Sequence, residues 1–213
     1  MTETTEIEAL IVDLDGVIRH WDMTHFRETA RSFGIEPDEF AAIAFQKELL
    51  DAGMVGTISF GEWADEIGRK CAERHGCDAA NVTAAFWALK WHVDWDVVEL
   101  LRAVRSAGRA KLALFSNAST RLEEDLASVD LHVEFDAVFN SARLGLAKPD
   151  PQAFRTVAAQ LGVAPQRCLF VDDTVPNVEG ARDADMQAEA FVGVAPLRSL
   201  LERAGLLDGA AAP

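Results

Sequence analysis

The sequence predicts an α/β protein: a doubly wound parallel sheet carrying a small inserted helical domain. Three observations predict it. Short apolar runs of strand length recur along the chain, each separated from the next by a helical pattern. Strand and helix alternate over residues 97–192, which implies right-handed crossovers. Residues 21–95 break that alternation and contain no convincing strand, so they read as an insertion after the first strand rather than as an ordinary crossover.

The strands, in order, are Ala9–Val12, Lys111–Phe115, Ala137–Phe139, Cys168–Val171 and Ala188–Val192. Asp96–Ala107 repeats its apolar positions every three to four residues and stops at Gly108; Pro151–Leu161 starts with Pro in its first turn and stops at Gly162. The insertion reads as four helices, roughly His25–Phe33, Pro37–Asp51, Ser59–His75 and Asp78–Leu89. All five Trp and six of the twelve Phe lie in it, so it is expected to have its own aromatic core. The expected division is residues 1–19 and 97–213 for the sheet domain and 20–96 for the helical one. The Ala/Gly-rich end, Gly205–Pro213, is expected to fray.

With 49% hydrophobic and 26% charged residues, the 213-residue chain has the composition of a globular protein with a sizeable core. Lys and Arg number 20 against 35 Asp and Glu, a net charge of −15. Such a surface repels phosphate backbones and anionic bilayers, so neither nucleic acid nor membrane is expected as a partner. Met1–Glu8 is polar and acidic and does not read as a targeting segment, and no apolar run approaches the roughly 18 residues that span a bilayer. The three cysteines, Cys71, Cys77 and Cys168, are too few and odd in number for a disulfide framework and suit a reducing compartment. Cys71, His75 and Cys77 lack a fourth ligand and a second spaced pair, so they read as packing residues rather than a zinc site. A cytoplasmic monomer or homodimer is expected.

In an open α/β sheet, ligands bind beyond the carboxyl ends of the strands. Asp13-Leu14-Asp15-Gly16 follows the first strand, and Ser116-Asn117-Ala118-Ser119 the second. Lys148-Pro149-Asp150 lies after the third, and Asp172-Asp173-Thr174 after the fourth. Any one of these could be a helix cap or a solvated loop residue. Together they bring four carboxylates, a hydroxyl and a lysine to one sheet edge. Two carboxylates about 4 Å apart repel by about 4 kcal/mol even at an effective dielectric near 20. A divalent cation removes that penalty, and an all-oxygen ligand set points to Mg²⁺, which binds through one or two carboxylates plus a substrate phosphate. An acidic protein can then bind a phosphate through metal, Lys148 and loop N–H groups.

The set Asp13-x-Asp15-Gly16, Ser116, Lys148-Pro149-Asp150 and Asp172-Asp173, in this order and each after a strand, resembles the four motifs of the haloacid dehalogenase superfamily. The resemblance runs from Leu10 to about Gly193, and the inserted helices are similar to that family's cap. Gly56-Thr57-Ile58-Ser59, Ser116-Asn117 and Asp172-Asp173-x-x-x-Asn177-x-x-Gly180-Ala181 are similar to the small sugar-phosphate phosphatases and to the phosphatase-like domain fused to soluble epoxide hydrolase.

The resemblance implies a Mg²⁺-dependent phosphatase acting on a small phosphorylated, sugar-phosphate-like metabolite. Asp13 would be the nucleophile, forming an aspartyl phosphate. Asp15 would protonate the leaving oxygen and then deprotonate the hydrolytic water. Ser116 and the Asn117 N–H would hold phosphate oxygens, helped by the N-terminus of the following helix. Lys148 would neutralise the transferring group. Asp13, the Asp15 carbonyl, Asp173 and Asp172 would hold the metal. Trp21 and His25 are the cap's candidate substrate contacts.

The chain departs from the family pattern at Ala147, where relatives often have a base, and at Met54-Val55, where related caps often carry polar residues. A phosphomutase is the enzymatic alternative, and His25 would serve either enzyme. Only Lys47 and Arg69 lie near in sequence to grip a second phosphate, which favours hydrolysis. A catalytically weak regulatory or scaffold member is the non-enzymatic alternative. Asp15 argues against a dehalogenase, whose ester is hydrolysed without protonating an alkoxide.

Overall fold

The computed structural model describes residues 6–208. Its strands are β1 (Ala9–Val12), β2 (Arg19–Trp21), β3 (Trp91–Val93), β4 (Lys111–Ser116), β5 (Ala137–Asn140), β6 (Cys168–Asp172) and β7 (Gln187–Ala190). The helices of the inserted segment are α1 (Met23–Ser32), α2 (Pro37–Ala44), α3 (Lys47–Met54), α4 (Phe60–His75) and α5 (Ala79–Trp87). Those flanking the sheet are α6 (Trp95–Ala107), α7 (Leu122–Ser128), α8 (Ser141–Leu144), α9 (Pro151–Leu161), α10 (Val175–Asp183) and α11 (Val194–Arg203).

Five strands form a parallel sheet in the order β5-β4-β1-β6-β7. β1 lies at its centre, with Val12 in register with Leu114 and Val171. Chain direction of the crossovers changes on either side of β1, so its carboxyl end is a switch point of the kind that hosts ligands. Side chains alternate across the sheet. Leu10, Val12, Leu112, Leu114 and Val171 pack with α6 and α11 on one face; Ala9, Ile11, Phe115 and Phe170 pack with α9 and α10 on the other. Asp94 caps α6, and Gly108 closes it in the left-handed conformation.

The inserted segment differs from expectation in two ways. It contains a strand, β3, which pairs antiparallel with β2 to make a two-stranded neck. Three residues are too few to show a period, and the pairing partner lies some seventy residues away in sequence. It has five helices, because the expected Pro37–Asp51 helix breaks at Phe45 and Gln46. The break leaves the Ala44 carbonyl free, and the Trp63 indole N–H donates to it at 2.9 Å. The aromatic core is present: Phe26, Phe40, Phe60, Trp63 and Phe86 are buried in a cluster separate from the two beside the sheet.

Two terminal expectations also change. β7 ends at Ala190, and Val192 is 75% exposed. Of the end expected to fray, Leu206 and Leu207 are buried against the sheet; residues 209–213, with most of the polar N-terminus, lie outside the described residues. No described helix is long and apolar enough to cross a membrane.

Candidate active site

The carboxyl ends of β1, β4 and β6 and the turn before α9 meet at one edge. The Asp13 N–H donates to the Val171 carbonyl at 2.9 Å, which carries β1's pairing one residue further and aims the Asp13 side chain at the edge. The chain then turns tightly, with the Ile18 and Arg19 N–H groups both donating to the Leu14 carbonyl. Gly16 makes this turn possible with φ of +86°. A Cβ there would stand 2.1 Å from Asp173 Oδ2, so the absent side chain is what lets Asp173 approach the turn.

Lys148 is the buried hub. Its Nζ lies 2.7 Å from Asp13 Oδ1 and 2.6 Å from Asp172 Oδ2, and donates to the Phe115 carbonyl at 3.1 Å. Lys148 and Asp13 are 4% and 6% exposed and Asp172 is fully buried, so one cation faces two carboxylates in a low dielectric. Burial pushes the Asp13 carboxyl up to about 7; Lys148 opposes that push and Asp172 adds to it. Asp172 is committed to structure on both oxygens, since it also accepts from the Thr174 N–H and the Asn177 amide. Asn177 is thereby a second support for Lys148, reached through Asp172.

The Asn117 side chain fixes Lys148 through its backbone, donating to the Lys148 carbonyl at 2.7 Å and accepting from its N–H at 2.8 Å. Ser116 closes the wall: its hydroxyl is buried and has no hydrogen-bond partner among the described residues. The helix expected immediately behind this pair begins only at Leu122 and is seven residues long, so it does not abut Ser116. Asp150 serves as the N-cap of α9.

Asp13, Asp15, Ser116, Asn117, Lys148 and Asp173 line a cavity of about 460 Å³. Among the described residues, Asp13, Asp172 and Asp173 form the group of carboxylates whose oxygens come within 4.8 Å of one another. An all-oxygen donor set with a turn that only glycine can make against Asp173 fits Mg²⁺.

Asp15 stands apart from the triad. Both its oxygens accept from Arg19, at 2.7 and 2.8 Å, and one also accepts from the Trp21 indole N–H at 2.8 Å. Arg19 continues to Asp125 at 2.9 Å. Asp15 and Asn117 line a second cavity as well, of about 320 Å³, between the sheet edge and the inserted helices. Trp21 lines this second cavity. His25 lies in the first turn of α1, where its N–H donates to Asp22, and lines neither cavity. Arg19 escapes sequence reasoning because it follows the Asp13-x-Asp15 turn without belonging to any motif; Arg121, which grips Asp125 at 2.9 Å, escapes for the same reason.

The inserted helices close over this edge. Ser141 Oγ donates to the Met54 carbonyl, Arg121 to the Trp87 carbonyl, and the Phe60 N–H to Thr120 Oγ1. Gly56, at φ of +71°, meets the Ala142 carbonyl so closely that a Cβ would lie 2.0 Å from it.

A sheet of this order with carboxylates after its first and fourth sheet strands and a lysine before α9 defines a class of hydrolases. The chain belongs to the haloacid dehalogenase-like hydrolase family, whose model matches residues 7–185. It is 30% identical to a Mycobacterium tuberculosis protein named as a phosphatase, over 96% of this chain and 98% of that one. It is 27% identical to the fructose-1-phosphate phosphatase of Escherichia coli, over 84% and 93% of the two chains. A Bacteroides thetaiotaomicron enzyme of the same family, crystallised with magnesium and inorganic phosphate, superposes with a TM-score of 0.70 at 20% identity, covering 86% of this chain and 93% of that one.

Proposed function

We propose that this hydrolase is a Mg²⁺-dependent phosphatase that cleaves a small phosphate monoester through a phosphoaspartate on Asp13. The observation that carries the reading is the buried Asp13–Lys148–Asp172 cluster facing a cavity whose wall includes the unpartnered Ser116 hydroxyl. The phosphatase names of the two relatives support it, as does the magnesium and phosphate bound by the Bacteroides enzyme.

The phosphoryl oxygens rest against Ser116 Oγ and Lys148 Nζ, which offer one buried hydroxyl and one buried cation. A carboxylate oxygen of Asp13 attacks phosphorus as the bond to the alcohol oxygen breaks. Asp15 turns out of the Arg19 fork and gives a proton to that oxygen. Water then attacks the same phosphorus, Asp15 takes one of its protons, the bond to Asp13 breaks, and inorganic phosphate leaves. Bound Mg²⁺ supplies positive charge against the carboxylates and the phosphoryl group, and Asp13, Asp173 and the Asp15 carbonyl would hold it. Asp172 serves that arrangement by positioning Lys148.

Net hydrolysis is favoured over phosphoryl shuttling because the two bases near the cap loop are engaged elsewhere. Lys47 pairs with Asp51, and Arg69 with Glu66 and Glu73, all on exposed helix faces. The test is p-nitrophenyl phosphate hydrolysis with Mg²⁺, after EDTA, and after Mg²⁺ is returned. Loss and recovery are expected. Full activity without metal, or a covalent phosphate trapped anywhere but Asp13, overturns the reading.

A further inference from the structure

The second cavity is built of different material from the first. Apolar side chains, Phe26, Phe45, Leu50, Met54, Trp63 and Phe86 among them, form most of its wall. Of the charged side chains in its wall, Arg19 pairs with Asp15 and Asp125, Arg121 pairs with Asp125, and Asp22 caps α1; Asn117 is committed to the Lys148 backbone, which leaves Lys90 and Ser119. Few groups remain there to satisfy the hydroxyls of a sugar, and an unsatisfied hydroxyl in an apolar wall costs more than it returns. The apolar surface continues outward, since Trp21, Met23 and Phe45 are 39%, 48% and 45% exposed and line the same cavity. Large apolar side chains gathered at a cavity mouth mark a binding surface rather than random exposure.

The two cavities share Asp15 and Asn117. Asp15 is the group that must reach the oxygen joining phosphorus to the alcohol, so the phosphoryl group belongs on one side of it and the alcohol on the other. We infer that the substrate is a phosphate monoester of an apolar alcohol with an unbranched chain, whose tail fills the pocket between the sheet edge and the aromatic helices. The inference rests on the phosphatase reading and narrows it from a sugar phosphate to an apolar one. At about 30 Å³ per water-sized group, the roughly 320 Å³ cavity takes on the order of ten such groups.

The experiment is a chain-length series of ethyl, butyl, hexyl and octyl phosphate beside glucose 6-phosphate and p-nitrophenyl phosphate, all with Mg²⁺. Each methylene entering the pocket is expected to raise kcat/KM about threefold to fourfold until the cavity is full. Octyl phosphate should exceed glucose 6-phosphate by more than tenfold. Phe45→Asp should flatten the series, costing octyl phosphate at least tenfold more than ethyl phosphate. Because that variant places a charge beside a packed core, the wild-type protein is also titrated with octan-1-ol and with glucose while its tryptophan fluorescence is followed. Saturable change with the alcohol and none with the sugar is expected. Hydrolysis of p-nitrophenyl phosphate with a flat series, or a preference for glucose 6-phosphate, overturns this inference alone. Hydrolysis of no monoester overturns the phosphatase reading and this inference with it.

Discussion

Arg19 grips both oxygens of Asp15, with Nε at 2.7 Å from one and a terminal nitrogen at 2.8 Å from the other. The guanidinium lies over the rings of Trp21 and Trp91, at 4.8 and 5.6 Å from their centroids, so the β2–β3 neck holds the fork in place. The group proposed for proton transfer is therefore parked by the fork, and transferring a proton would require its release.

Arg19→Met separates the two roles of this pairing. It removes the partner of a buried Asp125, although Arg121 remains there, and of an Asp15 that is 33% exposed. A destabilisation of roughly 2–4 kcal/mol is expected, below the full cost of an orphaned buried charge. Proton delivery should suffer more for alkyl phosphates than for p-nitrophenyl phosphate, whose leaving group needs no proton. Equal losses of kcat on both substrates in the folded variant would reduce Arg19 to a structural role.

Lys148→Met leaves Asp13 and Asp172 facing each other with no cation between them. Turnover is expected to fall by at least about 10³-fold and stability by roughly 3–5 kcal/mol, measured by kcat on p-nitrophenyl phosphate and by urea unfolding without metal. A Lys148→Met protein that unfolds at the wild-type urea midpoint would contradict the buried triad.

Ser116→Ala should show the opposite profile. Its hydroxyl has no partner among the described residues to lose, so the change in unfolding free energy is expected to stay within about 0.5 kcal/mol. Inhibition by inorganic phosphate should weaken about tenfold, because a hydrogen bond to a charged group is worth about 1.5–3 kcal/mol. Unaltered phosphate inhibition would remove Ser116 from the phosphate site.

Asp13 predicts how proton and metal compete. Its carboxyl is pushed up to about 7, by burial first, from an unfolded value of 3.8. Between those values the folded state holds the extra proton, so the metal-free protein loses stability as pH rises through that window. Metal binding needs the carboxylate, so added Mg²⁺ should raise the Tm more at about pH 8 than at about pH 5.5. Equal Mg²⁺-induced shifts at the two pH values would contradict the raised Asp13.

Much of this was legible in residue pattern. β1 and α9 fall on the residues expected, because a four-residue run of Ala9-Leu10-Ile11-Val12 and a helix bounded by Pro151 and Gly162 declare themselves locally. Asp13, Lys148, Ser116 and Asp173 converge because strand ends in a parallel sheet must share an edge. What was not legible depends on contacts distant in sequence. β3 needs β2, the break at Phe45 needs Trp63, and the burial of Leu206 needs the sheet face it covers. The Arg19–Asp15 pairing is only four residues long, yet its orientation depends on Trp91 across the neck.

The segment from Ser116 to Leu122 carries at one end the hydroxyl proposed to hold phosphate, and at the other Thr120 and Arg121, which hold the cap backbone at Phe60 and Trp87. On the proposed reading, one short stretch of chain answers to two events, arrival of an anion and departure of the cap. Such an arrangement is subject to reciprocity: whatever free energy phosphate gains from a closed cap, the closed cap gains from phosphate. Product that lingers would keep its own exit shut, and the enzyme's pace would then be set by how quickly that seven-residue stretch lets go.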